Sequence, residues 1–178
     1  SALFGYGQFN ENSVSNSAKA LFFFSFGLPA FAMIKVFSNF FFANHDTKTP
    51  FYISLLSVLL NIIISVYYFK EIGFIIIPIA TTISSWFNLI FLFFILRRKK
   101  LFLFNVIFVK RFYKIVFASI LTGLFFNYLV LFFSKELSFD YSLKSIYLIL
   151  SVILGLGFYL IISYLIKAFK LEDIKLKY

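Results

Sequence analysis

The stretch from Ala18 to Pro50 is a long apolar span that ends in a polar loop, and Lys35 is the only charged residue between Ala20 and Ala43. An ionisable side chain at membrane depth is costly, so it usually faces a polar cavity or a partner. The chemistry this predicts is binding, because a fixed positive charge favours an anionic group such as a phosphate. Asn39 lies one turn along the same helix face and extends the polar strip. The alternative is that the Lys35 stem snorkels to the membrane interface, about eight residues or ~12 Å of helix away.

Polar residues recur at helical spacing in the next two apolar spans. They are Ser54, Ser57, Asn61 and Ser65 in the second span and Thr81, Ser84, Ser85 and Asn88 in the third. These spacings place each set on one helix face. Three neighbouring polar faces predict one shared hydrophilic cavity, with Lys35, Asn39, Asn61 and Asn88 as its candidate residues. Ser, Thr and Asn also mediate helix packing in membranes, at about 0.6–2 kcal/mol per contact, and that alternative remains open.

Small residues recur every four positions in the last two apolar spans. They are Ser119, Gly123 and Asn127 in one span and Ser151, Gly155, Tyr159 and Ser163 in the other. These rows contain no charge, and small residues let two membrane helices approach closely. We therefore take Ser119, Gly123, Asn127, Ser151 and Gly155 as candidates for helix packing.

The sequence offers little material for catalysis or metal binding. It has no cysteine, a single histidine (His45), and no carboxylate within an apolar span. His45 and Asp46 are adjacent in a polar loop, where solvated or helix-capping groups are the simpler interpretation. We therefore predict that the protein is not an enzyme and that it uses no metal and no cofactor.

Composition and charge placement predict an all-α, polytopic helical membrane protein with five transmembrane helices. The chain has 178 residues, of which 62% are hydrophobic and 13% charged, with a mean hydropathy of +0.96. A soluble domain of this size could not bury so much apolar surface. Acidic residues and nearly all basic ones fall between the apolar blocks, which is typical of multi-pass proteins. The predicted organisation is a loop or interfacial segment (1–17), three spans within 18–100 (about 18–43, 50–69 and 72–96), and two spans within 101–178 (about 108–133 and 143–166) with a polar tail.

The formal net charge of +10 indicates membrane topology rather than nucleic-acid binding. Twelve of the 17 Lys and Arg residues fall in the 44–49 loop, the 97–114 loop and the tail, and four fall on the opposite side. Positive charge marks the cytoplasmic side, so we expect the chain to start outside, in the periplasm, and to end inside. Anionic membrane lipids are the expected partners of this charge.

The loop between the first two spans is the most recognisable stretch. Thr49 is the predicted helix N-cap and Pro50 the first helical residue. Asp46, Lys48, Thr49 and Pro50 form the signature of this loop. The other matching pieces are ALFGYGQF, FGLPAFAMIKVFSNFFFANHDTKTP, Asn61, and the pattern of Gly73, Ala80, Thr81 and Asn88. With these residues, which cover about 2–100, the chain resembles the C-terminal part of the MurJ (MviN) lipid II flippases of the MOP exporter superfamily.

This resemblance implies that the chain is a fragment of a fourteen-helix MOP-type transporter in the bacterial inner (plasma) membrane. Twelve helices of the family form two lobes around a cationic cavity for the pyrophosphate and sugar head of lipid II. The last two helices shape a groove for the polyprenyl tail, which makes the small-residue rows lipid-groove candidates as well. Lys35 matches the lysine position of the family. The expected partners are lipid II and the missing N-terminal half of the same chain, since Ser1 is no initiator methionine.

The function implied is flipping of the lipid-linked peptidoglycan precursor by alternating access, for cell wall synthesis. The Gly5-Tyr6 pair departs from the family, whose members usually carry a charged residue before Gly7. One alternative is a superfamily exporter of another polyprenyl-linked oligosaccharide or of a small molecule. A second alternative, from a different class, is a structural membrane subunit without substrate, whose polar faces serve packing alone.

Overall fold

The chain is helical over most of the residues that the computed structural model describes, which are 11–100, 106–138, 141 and 143–168. The helices in these ranges are α1 (Glu11–Ala43), α2 (Lys48–Ile72), α3 (Ile76–Arg98), α4 (Val106–Phe132) and α5 (Lys144–Leu165), and a 3-10 turn (Gly73–Ile75) lies between α2 and α3. A helix satisfies its backbone polar groups internally, which lipid requires, so long apolar runs fold this way. The predicted all-α class is confirmed, and the described ranges contain no strand.

The described ranges contain four continuous helical segments that are long and apolar enough to cross a membrane. The second of them, Lys48–Arg98, is 51 residues long and includes both α2 and α3. The predicted count of five separate spans is therefore too high by this measure, because helical structure continues through the turn between α2 and α3. Gly73 adopts φ 73° in this turn, a conformation that favours glycine.

Two helices begin earlier than the sequence predicted. α1 begins at Glu11 rather than at 18, and its polar first turns include a hydrogen bond from Ser17 Oγ to the Ser13 carbonyl at 2.9 Å. α2 begins at Lys48, so Pro50 is not its first residue. The bounds of α4 and α5 fall within two residues of the predicted spans. Residues 1–10 and the tail beyond 168 lie outside the described residues.

The first three helices form one compact unit. α2 and α3 are antiparallel, since Asn61 lies against Thr81 and Ser54 lies against Asn88. α1 runs in the same direction as α3. Their shared core is apolar and consists of Ala30, Phe37, Phe41, Ile53, Leu89, Leu92 and Leu96.

α1 lies close to α3 at Gly27, which is buried. A methyl group on Gly27 would lie 3.2 Å from Thr82 Oγ1. Two α3 side chains donate hydrogen bonds to α1 carbonyls here: the Thr82 hydroxyl to Phe23 O at 2.8 Å and the Trp86 indole N–H to Phe26 O at 3.0 Å. A residue with no side chain therefore allows α3 to bond directly to the α1 backbone.

α4 and α5 pack against each other in the second compact unit. They are antiparallel, because Phe125 stacks on Phe158 with 4.2 Å between ring centroids and Phe133 lies 5.5 Å from Tyr147 by the same measure. At the C-terminal end of α5, Lys114 Nζ donates to the Lys167 carbonyl at 3.4 Å. This packing is what positions the groove described below.

Candidate functional site

The polar faces of α2 and α3 meet along one line, which we call the polar seam and define by Ser54, Ser57, Asn61, Thr81, Ser84 and Asn88. Asn61 Nδ2 donates to Thr81 Oγ1 at 3.0 Å and to Ser84 Oγ at 3.3 Å. Asn88 Nδ2 donates to Ser54 Oγ at 3.3 Å. The spacing read from the sequence thus does bring these side chains together, and each bond joins α2 to α3.

A pocket of about 330 Å³ opens beside the polar seam. All six seam residues line it, together with Ser85 of α3, Phe31 and Ile34 of α1, and Val58 and Ile62 of α2. Asn61 and Asn88, two of the predicted cavity residues, are therefore parts of a single polar pocket. Among the described residues, those that line the pocket carry no charge.

Lys35 and Asn39 lie on a different surface of the unit. Both are exposed, and neither lines the pocket beside the polar seam. Asn39 instead lines a shallow surface depression of about 300 Å³ with Val36, Phe40 and Ala43. The sequence predicted one cavity shared by three spans, whereas the unit has two separate polar surfaces. The physical reason is that α1 turns an apolar face toward α2 and α3, and that face is opposite to Lys35. The substrate-cavity role of all four residues stays a prediction.

The loop after α1 is built around Asp46. His45 ends α1 at φ 59°, and the Asp46 N–H bonds back to the Phe41 carbonyl at 2.9 Å, as in a Schellman motif. The Asp46 carboxylate then accepts the Thr49 N–H at 3.0 Å and the Thr49 hydroxyl at 2.7 Å. Thr49 was predicted as the N-cap of α2. The N-cap position is Thr47, whose side chain makes no cap bond, and the Asp46 carboxylate accepts a free N–H of the first turn in its place.

Lys99, the residue after α3, connects the end of α3 to this loop. Its ammonium pairs with Asp46 Oδ2 and lies 5.8 Å from the centroid of the Phe41 ring. The pKa of Asp46 is lowered from 3.8 to about 2, first because Lys99 donates a hydrogen bond to it and then because Thr49 does. The loop signature therefore acts here as a structural joint between the ends of three helices. Lys48, the remaining member of the signature, is exposed.

We expect Asp46→Asn to lower the stability of the protein at pH 7 by about 1 kcal/mol, because it weakens a cap and an ion pair. Since the folded pKa lies below the unfolded value of 3.8, this stabilisation is complete above about pH 4 and is lost as the pH falls toward 2. The difference in unfolding free energy between wild type and variant, measured from pH 7 to pH 3, checks this. Glu71→Gln removes an exposed carboxylate and should change nothing. A difference that grows below pH 4 would contradict the assignment.

Of the groove candidates, four lie where α4 and α5 pack. Ser119, Gly123 and Gly155 line a groove of about 430 Å³ between the two helices, together with Thr122, Phe126, Val152, Leu156 and Tyr159. Ser151 is fully buried, and its hydroxyl donates to the Tyr147 carbonyl at 2.8 Å. A methyl group on Gly155 would lie 3.2 Å from the Phe126 ring, which agrees with close packing. Asn127 is exposed and does not line the groove.

Sequence reasoning missed three residues that join helices: Thr82, Trp86 and Lys99. Thr82 and Trp86 donate to backbone carbonyls, and backbone acceptors leave no trace in a side-chain pattern. Lys99 is 53 residues from Asp46 in the chain. The count of basic residues placed the loops that contain Asp46 and Lys99 on the same side of the membrane, and this was the only sequence signal for their pairing. In the described part of the chain, no three His, Cys, Asp or Glu residues cluster as metal ligands.

Comparison with known proteins identifies the family. The family model described as "Lipid II flippase MurJ" matches residues 1–165 of the chain. The chain belongs to this family. A probable lipid II flippase MurJ of Thermotoga maritima is 33% identical over 174 residues, which is 98% of this chain and 33% of the relative. A relative of the same description from Borreliella burgdorferi is 31% identical over 89% of this chain and 31% of its own length.

The MurJ relatives are all considerably longer than this chain. A third one, from Rickettsia prowazekii, is 37% identical over 83 residues, which is 47% of this chain and 16% of the relative. The chain thus spans at most about a third of these curated relatives. No solved structure matches the chain. MurJ membership and the apolar helices together identify a multi-pass bacterial membrane protein of a flippase family.

Proposed function

We propose that this chain is the C-terminal part of a transporter that flips lipid II across the bacterial inner membrane for cell wall synthesis. The observation that carries the proposal is the MurJ family match over residues 1–165. The Thermotoga maritima relative, named a probable lipid II flippase, supports it because it aligns with 98% of the chain. The N-terminal part of the protein would complete the transport path, and no bond of the substrate is broken.

The exposed face of α1 is the proposed contribution to the head-group cavity. Lys35 and Asn39 share this face, and within the described residues Lys35 has no ion-pair partner. A lysine in an apolar helix needs a polar environment, which the missing part of the chain and the substrate would supply. Its fixed charge would favour the pyrophosphate of the precursor, since charges interact more strongly where water is scarce. Asn61 and Asn88 would not contact the head group from this face of α1. They would contribute through the polar seam, where they join α2 to α3.

The groove between α4 and α5 is the proposed contact for the polyprenyl tail. It is lined mainly by apolar and small side chains, among them Gly123, Val152 and Leu156. Hydrocarbon chains are bound by shape and apolar contact, which small residues allow. The tail would remain in this groove or in the bilayer while the head group crosses.

The orientation proposed is periplasmic at the start of α1 and cytoplasmic at the joint of Asp46 and Lys99. Basic residues near that joint support it, because Lys48, Arg97, Arg98 and Lys100 are all exposed there. Alternating access would then present Lys35 first to the cytoplasmic side and then to the periplasmic side. The joint would hold the cytoplasmic ends of α1, α2 and α3 together during that movement.

Complementation tests the proposal. The full-length protein is expressed in a bacterium whose own lipid II flippase is depleted, with the empty vector as control. We expect restored growth and restored accumulation of lipid II on the outer face of the membrane, measured by labelling from outside. Absence of both, with the protein present in the membrane, would contradict the proposal. Export of a different polyprenyl-linked oligosaccharide in the same cells would favour the superfamily alternative.

A further inference from the structure

Asn88, which lines the pocket beside the polar seam, has a buried acceptor that no described residue satisfies. Asn88 is 8% exposed, and within the described part of the chain its Oδ1 accepts no hydrogen bond. Its Nδ2 donates only a long bond of 3.3 Å to Ser54. A buried polar atom left unsatisfied costs about 1–3 kcal/mol, so folded proteins almost always provide such atoms with a partner. Because the Asn88 side chain lines the pocket, we take the pocket as the side from which a partner reaches Oδ1.

Other hydroxyl oxygens of the pocket also have lone pairs left to accept a hydrogen bond. The hydroxyls of Ser57, Ser84 and Ser85 already donate to carbonyls of their own helices, at 2.8, 3.1 and 2.8 Å. A hydroxyl that has donated its hydrogen still has lone pairs that accept. The pocket consequently presents several acceptors and needs an occupant that donates. No carboxylate of the described residues lines it, so none of them would offset the dehydration of a cation.

We propose that the pocket is a water site, in which ordered water donates to Asn88 Oδ1 and to the hydroxyl oxygens around it. The volume of about 330 Å³ holds several molecules, since one water occupies about 30 Å³ in the liquid and needs two to four polar partners. The water satisfies Asn88 Oδ1. It can also replace the two 3.3 Å bonds of the seam, from Asn61 to Ser84 and from Asn88 to Ser54. The helices α2 and α3 are then joined by a hydrated contact rather than a dry one.

Hydroxyl-radical labelling of the full-length protein in lipid nanodiscs tests this. X-ray pulses convert water held near a side chain into radicals that modify that side chain, whereas lipid-facing residues are shielded. Ile62 lines the pocket, and its neighbour Ile63 does not, although both are exposed. We expect Ile62 to be modified several-fold faster than Ile63. Asn88→Leu should reduce the rate at Ile62 to that at Ile63, while Asn127→Leu, on α4, should leave it unchanged.

Two results would overturn the proposal. Equal rates at Ile62 and Ile63 in the wild type would mean that the pocket is dry or is filled by another part of the chain. An unchanged Ile62 rate in Asn88→Leu would mean that Asn88 does not hold the water. Ser84→Ala removes one acceptor and keeps Asn88, so it should lower the Ile62 rate partially. This variant keeps the test decisive if the leucine variant fails to fold.

Discussion

Lys35→Leu is expected to abolish the growth of cells that rely on the full-length protein as their flippase, while the protein accumulates normally. Lys35 is exposed on α1 and takes no part in the core that joins α1 to α2 and α3. Its removal therefore leaves the packing of this unit intact. What the variant loses is the positive charge that would attract the pyrophosphate head group. Growth after depletion, with the amount of protein measured by immunoblot, checks the expectation.

Two matched variants show whether the loss of growth is caused by the loss of the Lys35 charge. Lys19→Leu removes an exposed lysine from the first turns of the same helix and should support normal growth. Lys35→Arg keeps the charge and should retain part of the function, because a guanidinium also pairs with phosphate. If Lys35→Leu cells grow as well as wild type, the cavity role of Lys35 is wrong. Snorkelling would then explain the lysine, since the loss of a snorkelling side chain costs the protein little.

Gly27→Leu is expected to destabilise the unit of α1, α2 and α3 by about 1–3 kcal/mol or more, as overpacked cores do. Even a methyl group at this position would lie 3.1 Å from the Phe31 ring and 3.2 Å from Thr82 Oγ1. A leucine must push α1 away from α3, which also breaks the hydrogen bonds that Thr82 and Trp86 donate to α1 carbonyls. Thermal unfolding of the purified full-length protein measures the loss.

Gly157→Leu is the matched control for Gly27. A methyl group on Gly157 would have no neighbour within 4 Å among the described residues, although this glycine also lies inside a helix. Replacing it should leave stability unchanged or raise it by up to about 0.8–1 kcal/mol through helix propensity. Thr82→Val separates the effect of overpacking from the effect of lost hydrogen bonds, because it removes one interhelical bond without adding bulk at Gly27. Equal melting temperatures for Gly27→Leu and Gly157→Leu would show that α1 does not pack on α3 as described.

The sequence was sufficient to predict which stretches are helices. Apolar runs separated by charged residues can fold in lipid only as helices, and the structure has them close to the predicted positions. The spacing of Asn61 and Asn88 also correctly placed each on a polar helix face. The turn at Gly73 was harder to predict, because nothing in the pattern distinguishes a break in a helix from a short 3-10 continuation.

The sequence could not predict that Lys35 lies on a different surface from the polar rows of α2 and α3. The spacing of residues assigns each of them to a face of its own helix, but it does not determine how one helix is rotated against another. That rotation is set by packing, here by Gly27, Ala30 and Phe37 of α1 against α3. The pair of Asp46 and Lys99 depends on the same packing. It forms only once both helix ends have been brought together.

That pair has a consequence for the order of events during biosynthesis. Asp46 and Lys99 are 53 residues apart, and a ribosome adds about 5–20 residues per second, so the lysine is made roughly 3–10 s after the aspartate. During this interval the cap of α2 at Thr49 can form, because it is local, while the carboxylate still lacks its ion-pair partner. Closure of the joint therefore waits for Lys99, which follows α3 in the chain. A pause in translation within α3 would prolong the open state without affecting α1 or the start of α2.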